Sequence, residues 1–211
     1  ATTGSINDSA DDTTVDITAD VLTLTAKDEI GGNPAAGKTT DTAGAIETTV
    51  ASLDASSTTA GDIVITETDG ITLTDVDAVA GNIAIVAGGA ITATAVDTTT
   101  SGSITLNAGG ALTATHVVAL DGSVDLDAGG LLTATDVQAN DSGTTGTYNV
   151  AIDTTTGGMV ITSVTADDDI TGTATAGDIT IGAITAGDDI TLEATTGSIN
   201  DSADDTTVDI T

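Results

Sequence analysis

The chain has no cysteine, phenylalanine, tryptophan or arginine. Among 211 residues it has one tyrosine (Tyr148), one methionine (Met159), one proline (Pro34) and two lysines (Lys27 and Lys38). Without cysteine there is neither a disulfide framework nor a thiolate metal site, which suits a long exported chain that stays unfolded until it is outside. Without large aromatics a thick globular core cannot be filled, because those residues carry the largest buried areas. A narrow core of stacked Ile, Val, Leu and Ala can be. Two basic against 33 acidic residues leave a net charge of −31. That balance excludes nucleic acid, whose phosphates require Lys and Arg, and anionic membrane surfaces for the same reason. No apolar run approaches the ~20 residues of a membrane span, so membrane insertion is not expected. The chain opens on Ala1 with no signal peptide, and any targeting sequence is expected to lie outside this stretch.

Thr occurs 47 times and Gly 25 times, with Ala, Val, Ile and Leu as the apolar part. Branched Cβ atoms favour strands, and Gly and Asp favour turns. Acidic composition alone can mark disorder, but here the apolar residues recur regularly. The composition predicts an all-β protein.

Two periodicities organise it. Residues 1–18, ATTGSINDSADDTTVDIT, recur letter for letter as residues 194–211, an offset of 193 residues. Such a chain reads as about one period of a tandem array plus the start of the next. Within it runs a shorter period led by glycine: Gly4, Gly61, Gly81, Gly102, Gly122, Gly158, Gly177 and Gly197 open units about 20 residues apart. In the unit from Gly102, Ile104 and Leu106 share one face and Ser103, Thr105 and Asn107 the other. Leu112 and Ala114 then face in while Thr113 and Thr115 face out. This alternation is that of half-buried strands. The Gly-Gly pairs at 88/89, 109/110 and 129/130 are expected to supply unusual φ angles at corners. A 20-residue unit cannot bury its apolar face alone, but stacking at ~4.8 Å per layer does so.

The expected fold is therefore one continuous parallel β-solenoid (β-helix) over 1–211, with about ten coils and about 48 Å of rod per period. An irregular loop is expected at about 26–59, bulging near Gly31 to Gly44, and an irregular coil at about 143–158. Both ends carry the same mid-array sequence and no polar cap, so the expected partner is another copy, covalently continuous or stacked head to tail.

The pattern G-[SN]-I-x-[IL]-x-A-G-G-x-[IL]-T-A-T at Gly81 and Gly102, and at Gly122 with Val124 for Ile, resembles the β-strand repeats of filamentous-haemagglutinin-like giant bacterial exoproteins. DITADVLTLTAKDEIGG followed by AIETTVASLDASSTTAGDIVI is similar to a passage common in them, where an Ile-Gly loop interrupts the coil. The resemblance covers nearly the whole chain. It implies a right-handed β-helix, a secreted or surface-exposed rod, and a role in adhesion, matrix or filament formation. It also implies an N-terminal secretion domain outside this stretch. The extreme acidity departs from many members and argues against glycan or heparin binding.

Several motifs compete with that reading. Gly32-Asn33-Pro34-Ala35-Ala36-Gly37-Lys38-Thr39 fits the phosphate-loop pattern, but that chemistry needs a strand entering and a helix leaving. The Thr-rich sequence that follows is a poor helix, so a chance match in a Gly/Thr-rich loop is expected. His116, the single histidine, occupies a slot held by Asp75, Ala95 and Asp136 in other coils. It is read as a solvated surface residue without metal or nucleophile partners. Asp8/Asp11/Asp12, Asp167 to Asp169, and Asp188/Asp189 are read as a solvated acidic face, with Ca²⁺ on its preferred oxygen ligands as the alternative. No cofactor is otherwise implied. Thr-x-Thr pairs at 72/74, 92/94, 113/115 and 133/135 suggest an ice-binding ladder as a second alternative to plain strand chemistry. Asn7, Asn140 and Asn200 each begin an N-D-S sequon and mark candidate glycan attachment points. A polysaccharide lyase would have only Lys27 and Lys38 to stabilise its anion, and a glycoside hydrolase would lack an aromatic sugar platform. No catalysis is expected. The expected function is a structural segment of an extracellular filament, stalk or sheath, with a ligand-binding adhesin repeat as the alternative.

Overall fold

A computed structural model describes residues 1–8, 13–32, 44–140, 142–143, 146–203 and 209–211. Among them are nineteen β-strands and no helix. Every strand pairing is parallel, and the whole is a β-solenoid of about eight turns.

A regular turn has three strand segments, seen most clearly in Ile104–Ala108, Leu112–Ala114 and Val117–Leu120. Each pairs in register with its counterpart one turn away. Ile104 lies between Ile83 and Val124, Leu112 between Ile91 and Leu132, and Val117 between Val96 and Val137. We call these the first, second and third faces. In the earlier and later turns the second and third faces fuse into one strand, as in Ile71–Ala80 and Met159–Ala166, and Ile46–Ser57 runs on from the first face across both.

Alternation places one apolar column inside each strand position. Ile63, Ile83, Ile104, Val124, Val150 and Ile170 form one such column, and none is more than 1% exposed. Deeper in the corners the column residue is Ala, as at Ala78, Ala119 and Ala139, which keeps the core narrow enough to fill without aromatics. Thr98 occupies one of these alanine slots and is 2% exposed. Its hydroxyl donates to the Gly102 carbonyl (2.9 Å) and accepts from the Leu120 N–H (3.0 Å), so the buried polar group is satisfied.

Two devices hold the corner ahead of the first face. Gly4, Gly61, Gly81 and Gly102 carry positive φ angles, 151° at Gly81 and 144° at Gly102. A Cβ on Gly102 would also run into the carbonyl oxygen of Gly81 one turn below. The Gly-Gly pairs, expected to hold the unusual dihedrals, have none. They are glycine because the backbones stack too closely there, and a Cβ on Gly109 would strike the Gly88 carbonyl.

The second device is a ladder of short polar side chains, which in the lower turns directly follow Gly61, Gly81, Gly102 and Gly122. The Asp62 carboxylate accepts the Asn82 N–H (2.6 Å), the Asn82 side chain that of Ser103 (2.9 Å), and the Ser103 hydroxyl that of Ser123 (3.1 Å). The chain continues through Ser123 to Asn149, Asn149 to Asp169, and Asp169 to Asp189. A short acceptor is needed at every rung, so Asp, Asn or Ser stands at each of these positions, whether or not a glycine precedes it.

The ten expected coils are about eight, because irregular stretches lengthen turns instead of adding them. Ile6 to Ile30 spans 24 residues, Ile30 to Ile63 spans 33, and Val124 to Val150 spans 26, whereas regular turns take 20 or 21. At the layer spacing of a sheet the rod is about 38 Å long, not 48. Within 26–59, Ile46–Ser57 is a single 12-residue strand, and the expected bulge falls mostly on residues outside those described. Within 143–158, Val150–Thr154 is a regular first-face strand.

The two identical 18-residue segments take different seats. Ile6 bridges Ile30 at the head of the first face, whereas Ile199 pairs with Ile179 on the second. Ile17 pairs with Thr48, whereas Ile210 bridges Ile184 on the third face. The 193-residue period thus covers eight turns and one face more.

Candidate functional site

In-register stacking turns each outward-facing column into a ladder of like side chains 4.8 Å apart, and three of these ladders carry the polar chemistry. On the first face, Asp127 stands over Asn107 and under Asp153, with Thr173 above. They line an open groove of about 510 Å³ with Thr154, Thr155 and Thr175. Asp125, two residues before Asp127 on the same strand, has its carboxyl pushed up to about 6. Partial burial does most of this, and the charges of Asp127 and Asp153 add to it. Asp127 is raised in the same way, by burial and then by Asp153. Stacked carboxylates of one sign resist ionising together.

The second ladder surrounds His116, on the bend between second and third faces. Its Nδ1 lies 2.8 Å from Asp136 Oδ2, and its Nε2 is 3.4 Å from Asp97 Oδ1, which accepts no hydrogen bond among the described residues. Gln138 donates to Asp136 (2.7 Å), and Asn140 donates to Gln138 (2.9 Å). The result is a polar chain, Asn140–Gln138–Asp136–His116, with Asp97 beside its far end. The Asp97 carboxyl is held above its ordinary value by burial, an effect that His116 partly offsets. The His116 side chain is 44% exposed and clasped by acids one turn to either side, not simply solvated. A signal for this exists in the sequence, since Asp97 and Asp136 lie 19 and 20 residues away, one turn in each direction. No described hydroxyl hydrogen-bonds the imidazole.

The third cluster, Asp168, Asp169 and Asp188, brings three carboxylate oxygens within 4.8 Å of one another at a partly exposed corner. Asp168 is raised by desolvation and then by Asp169, Asp188 and Asp189. Asp169 already serves the corner ladder, and nothing at this cluster points to an ion.

Thr72, Thr92, Thr113 and Thr133 stack in register on the second face. Their partners Thr94, Thr115 and Thr135 fall on the bend that follows, and Thr74 donates to the Leu53 carbonyl (2.9 Å). Two parallel threonine columns on one flat strand surface are not formed. Asn7 and Asn200 are exposed, while the Asn140 side chain is engaged by Gln138. The phosphate-loop match at 32–39 lies, except for Gly32, outside the described residues, as do Asp11 and Asp12.

No protein-family model, no curated protein and no solved structure matches this chain. The site chemistry is therefore read from the residues alone.

Proposed function

We propose that this chain is a structural segment of an extracellular repetitive filament, stalk or sheath. The observation that carries the reading is the conjunction of an exact 193-residue repeat with a solenoid of stacked parallel turns. The −31 charge keeps the sides of such rods apart. The strand-repeat pattern G-[SN]-I-x-[IL]-x-A-G-G supports a relation to filamentous-haemagglutinin-like exoproteins, and with it a secreted, cell-surface setting.

The other readings have less behind them. Interface anchors are normally aromatic or Arg, and this segment has one Tyr and no Arg, so ligand recognition belongs elsewhere in such a protein or to attached glycans. The first-face groove offers carboxylates to a sugar but no aromatic platform among its lining residues. The test is a chain of two or three periods examined by electron microscopy and sedimentation. Rods lengthening by about 38 Å per period are expected. Globular particles, or a chain whose second period unfolds independently of the first, would exclude the filament.

A further inference from the structure

We infer that Asp8, Asp16 and Glu47 form a Ca²⁺-binding site across the first two turns of the solenoid. The reason begins with two buried glutamates that are treated very differently. Glu67 is 2% exposed, and its carboxylate accepts from the Thr48 hydroxyl (2.7 Å) and the Val50 N–H (3.1 Å). Glu47, one residue before Thr48, is 4% exposed, and both its carboxylate oxygens are buried with no hydrogen-bond partner. An unanswered buried carboxylate is costly.

What Glu47 faces is more negative charge. Asp16 lies in the adjacent turn: its N–H donates to the Glu47 carbonyl (2.9 Å), and its Oδ2 accepts the Glu47 N–H (3.2 Å). Asp8 reaches the same place from the preceding segment, so that one oxygen from each of the three carboxylates lies within 4.8 Å of the others. Like charges held this close across neighbouring strands destabilise a sheet.

The donor set selects the cation. Three carboxylates and no sulfur or imidazole call for a hard ion. Oxygens bound at 2.3–2.6 Å to one Ca²⁺ can stand up to about 5 Å apart, whereas the shorter bonds to Mg²⁺ limit that to about 4.2 Å. Asp201 and Asp209 are the second copies of Asp8 and Asp16, but Asp201 pairs with Ile181 on the second face and Asp209 stands just before Ile210 on the third, so they are seated differently from the first pair. One site per chain is expected.

Isothermal titration of the chelator-stripped 211-residue chain with CaCl₂, in 150 mM KCl to screen the remaining acids, tests this directly. One saturable site is expected, with Kd between about 10 and 1000 µM and weaker binding of Mg²⁺. Glu47→Gln and Asp8→Asn should each weaken it at least about tenfold, while Asp201→Asn leaves it unchanged. Asp8 lies in no strand, so Asp8→Asn decides the matter if Glu47→Gln fails to fold. No saturable site, or one indifferent to both substitutions, overturns the inference and leaves a proton shared by Glu47 and Asp16 as the neutralising species. The outcome is independent of the filament reading, which the multi-period rods test separately.

Discussion

Ile-Thr-Leu-Asn-Ala at 104–108 and Ile-Thr-Leu-Glu-Ala at 190–194 differ by one residue, yet their fates differ throughout. Ile104 and Leu106 are 0% exposed and Ala108 2%, because the strand has a turn on each side. Ile190, Leu192 and Ala194 are only half-buried, because Ile170–Ala174 is the one strand paired with theirs among the described residues. The apolar alternation in a solenoid is a capacity for burial, and the adjacent turn realises it. Stability then resides largely in the contacts between turns, as in other linear repeat folds.

The largest effect should come from trimming matched leucines. Leu106→Ala is expected to cost about 2–5 kcal/mol, and Leu192→Ala less than about 1, since its side chain is already partly in solvent. Urea midpoints of the two variants check this. Appending a second period should raise the cost at Leu192 towards that at Leu106. Equal losses in the 211-residue chain would break the comparison.

Glycine substitutions separate strain from collision. Gly143 has a φ of 138° and open space where a Cβ would stand, so Gly143→Ala should cost about 1–2 kcal/mol from the backbone alone. Gly102→Ala adds a collision with the Gly81 carbonyl and should cost about twice that or prevent folding, as read by thermal unfolding. A Gly102→Ala chain no less stable than Gly143→Ala would mean that adjacent turns are looser than described.

Smaller again is the corner ladder. Asn82→Ala leaves the Ser103 N–H unanswered and should cost about 1 kcal/mol. Asp189→Ala, at an exposed position that serves no described N–H above it, should change stability by less than about 0.5 kcal/mol. Matched losses at both positions would show that the ladder contributes nothing at its middle rungs.

The smallest effect is a pH dependence with an unusual sign. Asp125 has its carboxyl raised from 3.8 to about 6 on folding, so the folded state holds this proton more tightly than the unfolded one. Its contribution is fully present below about pH 4 and is lost as pH rises through about 6. Asp125→Asn should therefore raise the thermal midpoint at pH 7 and leave it nearly unchanged at pH 4. A midpoint shift of the same size at both values would assign the effect to packing.

The fold is legible in the sequence because a solenoid repeats its rules locally: Ile104, Leu106, Leu112 and Ala114 face inward as alternation requires. The two departures arise from interactions between turns, which a one-dimensional reading does not align. A Gly-Gly pair suggests a dihedral role for Gly109, but its constraint is the Gly88 carbonyl. The irregular stretches suggest extra coils, but they are long excursions within single turns. The polar sites are harder to see. His116 becomes clasped only when residues 19 and 20 positions away are folded over it. Glu47 is invisible as a site in the sequence, since a glutamate beside Ile46 in a strand gives no sign of being buried.

The direction of the backbone hydrogen bonds has a mechanical consequence. In this protein they run along the rod axis, from each turn to the next, so a pull on the two chain ends does not shear many bonds at once. It opens the last turn like the end of a zip, then the one beneath it. Each regular turn of 20 residues would release about 70 Å of chain, and the longer turns from Ile30 to Ile63 and from Val124 to Val150 would release more. Under load the molecule would lengthen stepwise and yield turn by turn, leaving the turns below still folded and able to take the chain back.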